Sequence, residues 1–426
     1  MAVDGAGHVY VTGHSYRGTG YDYVTIKYAS DGKVLWARRY DGPGGEDDRA
    51  TAVALDAQGN VYVTGSSQGK ESGRDYATLK YDPDGQLLWA RRDSGPKAGF
   101  DCPTALAVDA AGNATVTGYS QGEDTGHDYL TIRYDANGNR LWTQRYNGAG
   151  NSDDRAVAVG LDRAGNAYVT GYAHTAVNNI DYLTIKYDPA GKELWTRRYN
   201  GHGQGADKPV ALAVDPAGNV VVTGSSYGGG TAGDDYLTVK YDTLGRQQWA
   251  RRYNGAGRGD DRAVAVALDS KGDVTITGTS DGGAATGADY LTIKYDANGR
   301  TLWEQRYNGE QNSSDRAVAL AVDGAGNAYV TGASYGGTGS GHDYLTVKYD
   351  AQGRQQWAQR YNGPGGDYDV PAAIALDAQG DVFVTGSSWG GHQTRFDYAT
   401  IKYDPAGNSL WVSRYDAAST EATGSP

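Results

Sequence analysis

Cysteine is almost absent from this chain. Cys102 is the only one in 426 residues, so no intrachain disulfide can staple the fold and no cysteine cluster can hold a metal. Phenylalanine is scarce as well, at 3 residues against 34 tyrosines and 9 tryptophans. Basic charge is in deficit: 39 Lys and Arg against 51 Asp and Glu leave a net charge of −12, which argues against nucleic acid as a partner. No uncharged apolar run approaches the roughly 18 residues of a membrane span, so no membrane insertion is expected. Catalytic signatures are missing too. There is no Gly-x-Ser-x-Gly elbow, no phosphate loop and no zinc-protease helix. The reading therefore leans away from an enzyme, and no cofactor is expected.

What the chain does have is glycine and repetition. Glycine supplies 64 residues, about twice ordinary usage. Val/Ile-Thr-Gly ends at Gly13, Gly65, Gly118, Gly171, Gly224, Gly278, Gly332 and Gly386. Asp-Tyr begins at Asp22, Asp75, Asp128, Asp181, Asp235, Asp289, Asp343 and Asp397, and Trp stands at 36, 89, 142, 195, 249, 303, 357 and 411. The length alone would suggest two or three domains. Eight copies of one unit instead fill a single domain over residues 1–415, leaving a polar tail at 416–426 that is expected to be mobile.

Each unit holds four short runs rich in Val, Ile, Thr, Tyr and Trp, without helical spacing. Asp-x-x-Gly joins the first run to the second in every unit, as at Asp56 to Gly59. It joins the third to the fourth in all but one, where Ala29 precedes Gly32. Asp accepts a local backbone hydrogen bond and Gly supplies the left-handed residue of a tight hairpin. The expected fold is all-β: an eight-bladed β-propeller of four-stranded antiparallel blades. The other two connections are long and variable. Since the chain reverses at every turn, both long loops emerge on one face and both hairpins on the other.

Stretches such as Gly165-Asn166-Ala167-Tyr168-Val169-Thr170-Gly171 resemble the bacterial SBBP repeat family, whose name denotes a seven-bladed propeller. The segment from Tyr187 to Trp195 is similar to the tryptophan-docking motif of eight-bladed quinoprotein propellers. That resemblance implies that Trp195 and its seven equivalents pack between adjacent blades. The quinoprotein cofactor site does not carry over, because its paired cysteines have no match here. Unit one lacks the Asp-Arg-Ala-Val-Ala lead-in seen at residues 154–158, which suggests excision from a longer parent and no blade shared between the two chain ends.

Two sets of residues are candidate ligand contacts. Asp48, Asp101, Asp154, Asp207, Asp261, Asp315 and Asp369 precede the first strands and should ring the channel mouth on the long-loop face. Such a ring could hold a cation or a polyol, but its strict periodicity favours a structural role, with each carboxylate accepting backbone or Arg hydrogen bonds. The Asp of Asp-Tyr is read the same way. Irregular loop aromatics are the better candidates: Tyr16, Tyr227, Tyr335 and Trp389 share one register after the second strand, and Trp389 stands outside the docking series. Blades 1 and 8 should be neighbours, so Tyr16 and Trp389 could share a patch. No metal set is assigned, since His127 and His342 fall on opposite sides of an eightfold ring.

The expected function is a non-enzymatic binding or scaffold module whose long-loop face engages a protein or glycan. It is expected to be monomeric, and to be extracellular or at the cell surface in its parent protein. The alternatives are a carboxylate-based, glycosidase-like hydrolase at the channel mouth and a structural spacer in a larger surface protein.

Overall fold

A computed structural model describes residues 1–416 except 19, 176–178, 203–204, 230–232, 256, 258, 284–285, 310–311, 338 and 392–394. Of the tail expected to be mobile at 416–426, residues 417–426 lie outside the described residues. No helix occurs among the described residues. The strands form eight sheets, each taken from consecutive chain segments in sequence order. Blade 4 is typical, with strands Arg155–Leu161, Ala167–His174, Ile180–Tyr187 and Glu193–Tyr199 paired antiparallel. Blade 2 departs from the four-stranded expectation, because Gly99–Phe100 adds a short strand parallel to Gly73–Tyr81.

The first strands of neighbouring blades touch one another and so surround the axis, while the fourth strands lie outermost. The third strands are buried on both faces because each is sandwiched between two other blades. This explains why Asp-Tyr-Leu-Thr-Ile-Lys-Tyr does not alternate apolar and polar. Its threonines are satisfied across the blade, as where Thr170 Oγ1 lies 3.0 Å from Thr184 Oγ1 and donates to the Leu183 carbonyl at 3.2 Å.

The hairpins form as their sequence requires. At Asp162 the carboxylate accepts the Ala164 and Asn166 amides at 3.0 and 2.9 Å, and Gly165 takes φ +80°. The exceptional turn at Ala29 closes with the same geometry: Gly32 has φ +85°, and Asp31 accepts the Lys33 amide at 3.1 Å.

Every docking tryptophan bonds to the next blade. Indole Nε1 donates at 3.0–3.2 Å to the carbonyl of Pro83, Ala136, Pro189, Thr243, Ala297, Ala351, Pro405 or Ser30 in turn. The ring lies flat on the hairpin glycine beyond that carbonyl. At Gly191, for example, a Cβ would come within 2.6 Å of Trp142. The last bond in the series, Trp411 to Ser30, closes the ring. Blades 8 and 1 therefore meet by side-chain packing around Val9, Val24, Tyr28, Phe383 and Trp411, and among the described residues no sheet joins the two blades.

Candidate functional site

The long-loop face is built around seven aspartates. Asp48, Asp101, Asp154, Asp207, Asp261, Asp315 and Asp369 are 0–1% exposed. One carboxylate oxygen of each accepts the amide of a linker glycine, as from Gly95 to Asp101 and from Gly363 to Asp369, both 2.6 Å. In Asp48, Asp101, Asp154, Asp261 and Asp369 the other oxygen accepts an amide at the end of the blade's own second strand, as from Gln121 to Asp101 and from Trp389 to Asp369, both 3.0 Å. Burial pushes the carboxyls of Asp48, Asp154, Asp207, Asp261 and Asp369 above the usual range, against the pull of those hydrogen bonds. The carboxylates thus point into the protein and tie each linker to the following blade. The residues one step along, among them Arg49, Arg155 and Arg262, are the ones that reach solvent. They pair with Asp47, Asp153 and Asp260 at 3.0, 2.7 and 2.8 Å.

Each Asp-Tyr aspartate is held by an arginine of its own fourth strand. The Arg39–Asp22, Arg92–Asp75, Arg145–Asp128, Arg198–Asp181, Arg306–Asp289, Arg360–Asp343 and Arg414–Asp397 pairs span 2.7–3.1 Å, and Arg252 and Asp235 complete the set. Sequence reasoning missed these arginines. Each lies three residues after a docking Trp, a spacing repeated in all eight units that would have found them.

The four aromatic candidates sit at the top of the second strand, each directly opposite a residue of the third. The pairs are Tyr16–Tyr21 in blade 1, Tyr227–Asp234 in blade 5, Tyr335–His342 in blade 7 and Trp389–Phe396 in blade 8. Ring contacts follow the register in three of them, with centroids at 5.5 Å for Tyr16–Tyr21, 5.7 Å for Tyr335–His342 and 5.1 Å for Trp389–Phe396. Tyr227 lies against linker Gly205, and Trp389 also covers Gly365. A residue the sequence did not single out joins this set: Tyr368, in the linker before blade 8, stacks on His342 at 5.3 Å and 16°. Tyr16, Tyr368 and Phe396 are 56%, 52% and 56% exposed. Blades 7, 8 and 1 are consecutive, so these rings form one arc across the seam. Blades 5 and 6 carry Asp234, Asp260, Arg262 and Asp281 at comparable heights instead.

Family comparison fits this architecture. The beta-propeller repeat family SBBP matches residues 141–176, and the family described as outer membrane protein assembly factor BamB matches residues 1–131. The chain is thus similar to SBBP-type propellers over part of its length. It is 27% identical over 178 residues to the regulatory protein FlaEY of Caulobacter vibrioides, covering 38% of this chain and 17% of that protein. It is also 26% identical over 200 residues to an uncharacterized WD repeat-containing protein of Acanthamoeba polyphaga mimivirus, covering 43% and 13%. The match thus spans less than a fifth of either relative. Among solved structures, a puromycin hydrolase mutant complexed with PGG superposes with TM-score 0.51 at 12% identity, covering 87% of this chain and 55% of that one. The beta-propeller domain of the Trilobed protease from Pyrococcus furiosus gives 0.46 at 8%, covering 88% and 99%. At these identities the likeness concerns the fold alone.

The propeller also brings together a set that the sequence reading did not assign. Carboxylate oxygens of Asp22, Asp41 and Asp48 lie within 4.8 Å of one another between blades 1 and 2. Asp41 is the irregular member, since five of the other linkers carry Asn and one Ser at its position. Arg39 already pairs with Asp22, and Asp48 accepts the Gln68 amide at 3.0 Å. Two recesses lie on the hairpin face. One lies beside Asp242 and Asn298, and the other beside Asp323 and Asp377.

Proposed function

We propose that this propeller is a non-enzymatic binding module whose aromatic arc over blades 7, 8 and 1 engages a protein partner. The observation that carries this reading is the placement of Tyr16, Tyr21, Tyr335, His342, Tyr368, Trp389 and Phe396 on three consecutive blades of the face built from long loops. Rigid cross-strand pairing holds these rings in place, so little side-chain entropy is lost on contact. Half-exposed Tyr, Trp and His beside polar loops also match the composition of interface cores. A hydrolase would need a carboxylate that reaches substrate, whereas the ring aspartates spend their oxygens on backbone amides. We place the module outside the cytoplasm in its parent protein, in keeping with its acidic charge.

The test compares the wild type with Tyr368→Ala and Trp389→Ala in pull-downs from secreted and cell-surface fractions of the source organism, beside a glycan array and a hydrolase substrate panel. One stoichiometric protein should be retained by the wild type and lost at least tenfold in both variants, with unchanged circular dichroism. Array signals lost in the same variants would reassign the arc to saccharide. Turnover abolished by a single Asp→Asn change on this face would sink the binding-only reading.

A further inference from the structure

Three positions recur wherever a linker joins two blades: the Asp-Tyr aspartate of the first blade, the first linker residue and the ring aspartate of the next. Between blades 1 and 2 they are Asp22, Asp41 and Asp48, whose carboxylate oxygens lie within 4.8 Å of one another. None of those three keeps a buried oxygen without a partner. Between blades 6 and 7 the same positions hold Asp289, Asn308 and Asp315, and the hydrogen bonding differs.

Asp289 is 0% exposed. Its Oδ2 accepts from Arg306 Nη1 at 2.9 Å and from Thr286 Oγ1 at 3.0 Å, while its Oδ1 is buried and has no partner. Asn308 donates through its side-chain nitrogen to Asn312 Oδ1 at 2.7 Å, and Asn312 receives the bond from the left-handed region, φ +47°. That bond turns the Asn308 Oδ1 the other way, and this oxygen too is buried without a partner. Asp315 accepts the Gly309 amide through Oδ2 at 2.5 Å, its one backbone amide among the described residues. Burial raises the Asp289 carboxyl, Arg306 and Thr286 pull it down, and the charge of Asp315 is near enough to raise it further.

Other junctions show part of this arrangement. Asp75, Asp128 and Asp235 also keep a buried Oδ1 without a partner. Their ring aspartates Asp101, Asp154 and Asp261, however, each accept two backbone amides. Their first linker residues, Ser94, Asn147 and Asn254, are exposed, whereas Asn308 is half-buried. Only at the junction of blades 6 and 7, among the described residues, do two buried orphan oxygens come from these positions. Both are acceptors, so neither can satisfy the other, and leaving them bare is costly. The two carboxylates there also outnumber the one guanidinium, Arg306, that pairs with them.

We propose that Asp289, Asn308 and Asp315 bind a divalent cation of the calcium class at the junction of blades 6 and 7. Calcium takes carboxylate and carboxamide oxygens and completes its shell with water, which suits a set of three side chains. The absence of nitrogen and sulfur ligands from the set argues against zinc. The bound ion joins the third strand of blade 6, the linker and the first strand of blade 7, so it acts as a clamp between blades. It lies apart from the side chains of the aromatic arc and does not depend on the partner proposed for them.

The test is titration of the intact, chelator-treated protein with calcium chloride, read by calorimetry and thermal melts, with terbium luminescence as a second probe. One equivalent of calcium should bind, raise the melting temperature saturably and displace terbium. Asn308→Ala should weaken calcium binding roughly tenfold or more. Asn308→Asp, which places a carboxylate where Asp41 has one, should tighten it. Asn147→Ala, at the exposed equivalent between blades 3 and 4, should leave it unchanged. No saturable effect of calcium, equal losses in Asn308→Ala and Asn147→Ala, or weaker binding by Asn308→Asp would each overturn the proposal.

Discussion

Asp153 shows how single residues govern the loop face. Its carboxylate accepts the His127 amide at 3.0 Å, contacts His127 Nδ1 at 3.0 Å and meets Arg155 at 2.7 Å. Burial alone would raise its pKa, but those hydrogen bonds and the Arg155 charge outweigh it and bring the group down to about 2. A depressed carboxylate stabilises the fold fully above its ordinary pKa near 3.8, and the contribution is lost as pH falls towards 2. Asp153→Asn should therefore lower stability at pH 7 by about 1 kcal/mol, after allowance for partial exposure, and have almost no effect at pH 2. Urea titrations at pH 7, 4 and 2 would check this, and an equal loss at every pH would contradict it. For Asp48, Asp154, Asp207, Asp261 and Asp369, whose carboxyls burial raises, the sign is reversed: the native state holds the proton more tightly, so their contribution declines as pH rises through the acidic range. Which aspartate falls in which class was not legible from sequence, because both kinds sit beside glycines and strands.

The hairpin and the docking tryptophan are the elements that turn repetition into a ring. The spacing of Asp and Gly announces the turn. The second duty of that glycine, to lie under the indole of the preceding blade, depends on a contact between units and could not be read from one unit. Trp195 separates the two contributions. Trp195→Phe keeps a ring over Gly245 but leaves the Thr243 carbonyl without its 3.1 Å bond, and should cost about 1 kcal/mol. Trp195→Ala also empties the interface and should cost about 3–5 kcal/mol. Equal losses for the two variants in thermal or chemical melts would mean that the hydrogen bond, and not the packing, carries the dock. The arginines three residues after each Trp were legible in principle by the same periodicity, yet their partner aspartates lie on a different strand. Only the sheet pairing shows that they meet.

At the scale of the whole molecule, the ring closes at one seam that has fewer ties than the other interfaces. Seven interfaces have a connecting linker, an innermost strand of full length, a Tyr hydroxyl bond and a Trp dock. The interface of blades 8 and 1 retains the dock and the apolar cluster around Phe383. In addition, Trp357 and Trp411 are only half-buried, whereas the other docking tryptophans are buried. The seam should be the weakest point of the circle, because repeat stability is approximately a sum of unit and neighbour terms. Trp411→Ala is thus expected to speed amide exchange in blades 8 and 1 by at least tenfold while blades 3 to 6 keep their protection. Uniform loss of protection around the ring would show that the propeller opens as one cooperative unit.

By itself the sequence determined the blade. Strand composition, Asp-x-x-Gly turns and the recurrence of Trp are local or periodic properties, and they fix four strands, two hairpins and the number of repeats. Tertiary structure alone decided what each polar residue faces. The ring aspartates turn inward because the linker amides there need acceptors, and the structure names the amides that each carboxylate ties together. Tertiary structure also decided that three irregular aromatic pairs, far apart in the chain, stand side by side across the seam.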